Sequence, residues 1–350
     1  MAPDTASATT NGLAIPPRLA ALWKRGTDFL GCPIAIMGGA MTWVSERNLV
    51  SAISNAGGFG VIACGSMTPA LLDAEIKATQ AKTKRPFAVN LITMHPQLLD
   101  LIGVCQANNV SHVVLAGGVP SGEAIKRVKD FGAKLVCFAP AVVLAKRLVK
   151  LGADAIVIEG HEAGGHVGPV STAVLAQEIL PVIRDIPVFV AGGIARGDAV
   201  VSFLELGAAG VQMGTRFVCA TECIAHEKFK KAFIRASARD ATISVQLDKR
   251  FPVIPVRALA NQGTEEFLDK QREVIARVDA GKLTQPAAQL EIEHFWAGAL
   301  RRAVIEGDVE RGSVMAGQSV GMITAEQPVA DIMRDLIQQA ATALESRGAA

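Results

Sequence analysis

The 350-residue sequence predicts an α/β protein, a (β/α)8 TIM barrel with a small helical second domain. Two observations carry this expectation. Eight short β-branched runs each close on glycine or a polar residue, and segments with helical spacing separate them at roughly 20- to 30-residue intervals. The runs are near-continuously apolar rather than alternating, as parallel strands covered on both faces should be. An open doubly wound sheet usually has fewer strands than eight.

The first 26 residues contain an early acid and no hydrophobic run before their prolines, so they read as a flexible tail rather than a secretory signal. The barrel is expected over 27–222. Its strands are "PIAIMGG" (33–39), "GFGVIACG" (58–65), "FAVNLI" (87–92), "HVVLAGG" (112–118), "KLVCFAP" (134–140), "AIVIEG" (155–160), "PVFVAGG" (187–193) and "GVQMGTRF" (210–217). Segments such as "SERNLVSAISNAGG" and "TPALLDAEIKATQAK" between them carry helix-start signals. Several helices end in Gly-Ala, a C-cap that leads into the next strand. After Phe217 the pattern changes, and 223–315 is expected to be a mainly helical inserted domain. There "ECIAHEKFKKAFIRASA" reads as helix, "FPVIPVRALANQ" as a proline-containing connection, and about 264–279 and 285–304 as two more helices. Residues 316–350 return to the barrel and supply its last helix, "PVADIMRDLIQQAATALESR".

Composition narrows the function. Half the residues are hydrophobic, tyrosine is absent and glycine is common, a profile of many small-residue turns around a large core. A formal net charge of +2 gives no strong field for nucleic acid, and no apolar stretch approaches the ~18 residues that span a bilayer. Six scattered cysteines, mostly inside apolar runs, behave as small hydrophobes and fit a reducing, cytoplasmic compartment. Cys219 and Cys223, four residues apart, read as packing residues.

The stretch "VIEGHEAGGHVGP" (157–169) carries the chemistry. His161, Glu162 and His166 resemble a zinc motif, but three residues separate Glu162 from His166 where H-E-x-x-H has two, and two glycines make a loop where the motif needs a helix. No metal is expected. "GFGVIA" satisfies G-x-G-x-x-A yet follows a helix and opens a strand, the reverse of a dinucleotide fingerprint. There remains a loop at the C-terminal end of a barrel strand, where barrels place their chemistry, with His166 as acid or base. His161 reads as a loop residue. "AGGIARG" (191–197) and "MGTRF" (213–217) end the next two strands, where barrels commonly hold phosphate on backbone amides. The same rim bears Asn90 and the first strand's glycine pair, and flavin mononucleotide (FMN) fits such a site.

These residues resemble the flavin-dependent nitronate monooxygenases, formerly 2-nitropropane dioxygenases, and the related FMN-containing enoyl-ACP reductases of type II. The resemblance runs from "PIAIMGGAM" through "NAGGFGVIA", "VNL", "EGHEAGGHVG", "AGGIARG" and "GTRFV" to "GSVMAGQSVG". It implies FMN at the barrel mouth, with Met37, Gly38 and Gly39 along the flavin and Asn90 contacting it. Gly164 and Gly165 would lie close to the cofactor, Gly192, Gly193, Gly214 and Thr215 would hold its phosphate, and Gln318 would lie near the active site. His166 would be the catalytic acid or base. Glu159 stands where the monooxygenase branch usually carries glutamine, and "GDVERGSVMAGQSVG" looks more like the reductase branch.

The first functional expectation is oxidation of alkyl nitronates by oxygen to carbonyl and nitrite, which demands least of the site. The second is NAD(P)H-driven reduction of an enoyl thioester or a quinone. In that case the basic segment 226–239 could meet an acidic acyl carrier protein, although its ordinary reading is a solvated helix face. The third is a flavin-free phosphate-binding barrel such as an isomerase or aldolase, which would be colourless.

Overall fold

The computed structural model describes residues 9–10, 13–65, 67–253, 255–296 and 298–348. Eight parallel strands form the barrel: β1 (Ile36–Gly38), β2 (Gly60–Ala63), β3 (Phe87–Ile92), β4 (His112–Ala116), β5 (Lys134–Phe138), β6 (Ala155–Glu159), β7 (Val188–Ala191) and β8 (Gly210–Met213). From β2 to β8 each strand pairs with the next in sequence, and β8 pairs with β1. A parallel bridge between Met37 and Phe59 joins β1 to the start of β2 and completes the ring.

Strand periodicity divides the core in two. Alternate residues, among them Met37, Val61, Ala88, Val114, Val136, Val157 and Phe189, fill the barrel interior. The residues between them pack outward against the helices. Side-chain caps start several of these helices: Glu46 accepts from Asn48 N and Leu49 N, Thr68 from Leu71 N, and Ser121 from Ala124 N.

Helix Val329–Gly348 occupies the eighth helix position. It packs on helix Gly197–Glu205, where a Cβ on Gly197 would lie 2.0 Å from Leu336 O. Gln339 Oε1 accepts from Gly197 N at 2.8 Å. No helix among the described residues is long and apolar enough to cross a membrane.

The expected flexible tail is corrected over 17–26. Residues 1–8 and 11–12 lie outside the described residues, but Pro17–Leu22 and Lys24–Leu30 are helices. Leu19 and Trp23 are buried there, each worth about 2–3 kcal/mol of apolar burial. Phe29 plugs the lower end of the barrel, its carbonyl within 3.0 Å of His112 Nε2 and also accepting from Lys134 Nζ.

The insert is more mixed than expected. Its longer helices are Glu227–Arg235, Gln262–Asp279 and Gln285–Trp296; the last ends before Gly298, which turns left-handed at φ 80° and starts the short helix Ala299–Arg301. A short π-helical turn, Arg302–Glu306, follows. The connection expected at 251–262 contains strand Val256–Leu259, paired with Ala241–Ile243 on one side. A small core of Phe251, Phe267, Val274, Ala288 and Ile292 holds the two longer helices together.

Candidate active site

The C-terminal ends of β1, β6, β7 and β8 meet in one mouth, and backbone contacts between glycines hold them there. Gly39 N donates to Met213 O at 2.8 Å, and a Cβ on Gly39 would lie 2.8 Å from the Cα of Gly214. Thr215 Oγ1 accepts from Gly317 N at 3.0 Å, which leaves its own proton free to donate. Gly164 faces the same return segment so closely that a Cβ would lie 2.5 Å from Gly317 N. Gln318 N donates to Glu162 O at 2.9 Å, and Gln318 opens a 3-10 turn, half-buried. Gly38, Gly39, Gly164, Gly214, Thr215 and Gln318 are therefore brought together around one opening.

Gly192 and Gly193 end β7 with φ of 100° and 73°, conformations that glycine adopts freely. Glu162 and Thr172 shape the space beside them. Thr172 donates from its backbone N to Glu162 Oε2 at 2.9 Å, and its hydroxyl lies 2.8 Å from that oxygen and 3.1 Å from Gly192 O. Glu162 is thus tied to the start of helix Thr172–Ile179.

His166 is positioned by the insert. Gly165, at φ 77°, and His166 form a two-residue strand antiparallel to Val256 and Arg257. Arg257, 3% exposed, donates to His161 O from Nε at 3.1 Å and Nη2 at 3.0 Å, and also binds Ala241 O. His161 Nδ1 lies 2.8 Å from Gly168 O, so that ring serves the loop. The His166 ring has no hydrogen-bond partner among the described residues and is exposed. The protein packed around it still lowers its pKa below the ordinary imidazole value by desolvation.

Inside the mouth, strand register sets a ring of inward side chains. Glu159 pairs with Ala191, Ala191 with Gln212, and Gln212 with Met37, so the four side chains point to the same inner wall on adjacent strands. Asn90 points inward from β3, in phase with Ala88. Asn90 and Gln212 are 5% and 7% exposed, and neither side chain has a hydrogen-bond partner among the described residues. Their amide atoms keep accessible surface at the mouth, where they are free to meet a polar ligand. Burial pushes the Glu159 carboxyl up to about 7.

Gln212, Arg257 and Trp43 were not singled out from sequence. Gln212 is the one polar residue in "GVQM", a signal that was available; Arg257 sits in a segment read as a connection. Trp43 adopts φ 68° in a turn where Val44 N donates to Met41 O at 2.9 Å, and Arg301 of the insert lies 5.8 Å above its ring. A left-handed tryptophan beside a glycine-built mouth is strained in a way common at functional sites.

Comparison with known proteins agrees with this architecture. A family model described as "Nitronate monooxygenase" matches residues 24–108 and 99–339. The chain is 36% identical to FabK from Thermotoga maritima, with a TM-score of 0.84 over 93% of this chain and 99% of that one. It is 26% identical to a nitroalkane oxidase from Streptomyces ansochromogenes, with a TM-score of 0.75 over 91% and 99%. It is also 28% identical to the (3aS,4S,5R,7aS)-5-hydroxy-7a-methyl-1-oxo-octahydro-1H-indene-4-carboxyl-CoA dehydrogenase of Rhodococcus jostii (strain RHA1), over 92% of this chain and 97% of the relative. The chain belongs to the nitronate monooxygenase family and is an oxidoreductase of its monooxygenase and enoyl reductase group.

Proposed function

We propose that the protein is an FMN-dependent oxidoreductase that reduces the double bond of an enoyl thioester with NAD(P)H. The observation that carries the choice of substrate is the apolar rim of the mouth. Trp43, Met94 and Val119 are 39%, 72% and 43% exposed on the loops that follow β1, β3 and β4. Exposed large side chains gathered on one rim suit an apolar acyl chain. A small nitronate anion would make no use of them. The cations nearby are already engaged, Arg257 by backbone carbonyls and Arg301 by Glu306. The likeness to FabK, together with a relative named as acting on a carboxyl-CoA, points the same way.

The residues present fit FMN. The amides of Gly192, Gly193 and Gly214 and the Thr215 hydroxyl would hold the phosphate, and the unpartnered amides of Asn90 and Gln212 would meet the ring's polar edge. Met37, Gly38 and Gly39 would lie along the flavin, Gly164 and Gly165 close to it, and Gln318 beside it. Bound FMN supplies hydride exchange. A ring nitrogen of His166 would deliver the proton to the thioester α-carbon. The apolar rim and the covering insert would exclude water.

Oxidation of alkyl nitronates stands as a second reading, favoured by the family description and the nitroalkane oxidase likeness. Steady-state assays with enoyl thioesters of increasing chain length and with alkyl nitronates separate the two. The thioester reading requires kcat/KM to climb with chain length and to exceed that for any nitronate; turnover confined to nitronates would overturn it.

A further inference from the structure

Glu159 ends β6 with its side chain on the inner wall, in register with Ala191 and, through it, with Gln212 and Met37 on the next strands. It keeps some accessible surface, yet no hydrogen bond or ion pair engages its carboxyl among the described residues. The charged groups around it are few. β1, β2, β3, β7 and β8 carry none, and Lys134 and His112 sit at the opposite ends of β5 and β4. In the loop beyond Glu159, the Glu162 carboxylate is bound to Thr172, His161 to Gly168 O, and His166 is unbonded. Glu178 lies near the far end of helix Thr172–Ile179. A carboxyl so placed has water within reach and no cation to hold it ionised.

We propose that Glu159 is the proton-accepting group of this site, binding one proton from solvent for each hydride that enters. The proposal rests on the FMN reading above. A pyridine-nucleotide donor gives up a hydride and is oxidised, and the site gains one negative charge. A separate proton from solvent then forms an O–H bond on the Glu159 carboxylate, and the site's charge is restored. Burial already brings this carboxyl to about 7, so it is largely ionised at pH 8 and a nearby negative charge raises its proton affinity further.

The test is the midpoint potential of the FMN-loaded enzyme between pH 8 and 9, in the parent, Glu159→Gln and His166→Ala. Parent and His166→Ala should fall with pH more steeply than Glu159→Gln by one proton per two electrons. That is a tenfold change in the equilibrium per pH unit, about 30 mV. Equal slopes in the parent and Glu159→Gln would overturn the proposal while leaving the FMN reading intact. A parent protein that binds no FMN would remove that reading itself. Should Glu159→Gln fail to fold, the reduced-minus-oxidised infrared spectrum of the parent at pH 8 decides: a protonated-carboxyl band must appear on reduction, and its absence overturns the proposal.

Discussion

His166 stands opposite Val256 in an antiparallel pair, so the candidate catalytic loop of the barrel is completed by a strand of the insert. The same strand bridges to the residues that lead into the return segment, through Ala258 and Met315, and Leu259 N donates to Val314 O at 2.9 Å. The insert is thereby part of the site's framework.

Arg257→Met tests that coupling. The substitution leaves the carbonyls of His161 and Ala241 without their charged donor, and charge-assisted hydrogen bonds contribute about 1.5–3 kcal/mol each. Chemical denaturation should show a loss of at least about 2 kcal/mol, with kcat reduced as the His166 loop loosens. A variant as stable and active as the parent would detach the insert from the site.

Gly164→Ala places a methyl group 2.5 Å from Gly317 N, where only backbone can give way. The return segment must move off the loop and take its link to Thr215 with it. FMN affinity, read by flavin fluorescence, should fall at least about tenfold, roughly 1.4 kcal/mol.

Much of the framework behind these predictions was legible in the sequence, and the parts that were not have physical reasons. All eight strands announced themselves because parallel strands buried on both faces read as apolar runs. The glycine loops stood out because close backbone approach excludes side chains. The helices at Pro17–Leu22 and Lys24–Leu30 were hidden by the prolines and charges around a few buried side chains, Leu19, Trp23 and Phe29. Strand Val256–Leu259 was missed because its partners, Ala241–Ile243 and Gly165–His166, are short and distant in sequence. The inward turn of Gln212 and Glu159 needed the strand register to be seen.

The pH dependence of turnover separates the two chemistries at His166, whose pKa lies below the ordinary imidazole value. As the acid in thioester reduction, His166 must be protonated, so kcat should fall as pH rises through that pKa. As a base toward neutral nitroalkanes it must be unprotonated, so the limb would rise instead. His166→Ala should lower turnover by about 10²–10⁴-fold with the flavin spectrum kept.

His112 makes a prediction about stability alone. Burial is the main cause that lowers its pKa from 6.5 to about 4, while Nε2 lies 3.0 Å from Phe29 O and Nδ1 2.9 Å from Ser111 Oγ. The unfolded chain therefore binds this proton more readily than the native one. The stabilisation is complete above about pH 6.5 and is lost as pH falls toward 4, on the order of 3 kcal/mol in all. Denaturation midpoints for the parent and His112→Gln across this range check it, and the variant should lack that slope.

The central claim is tested most directly by anaerobic mixing of the purified, FMN-loaded protein with NADH or NADPH, followed by an enoyl thioester. The account predicts a yellow protein whose visible absorbance bleaches with a pyridine nucleotide and returns on addition of the thioester. A protein that pyridine nucleotides leave yellow, and that only an alkyl nitronate bleaches, would contradict it.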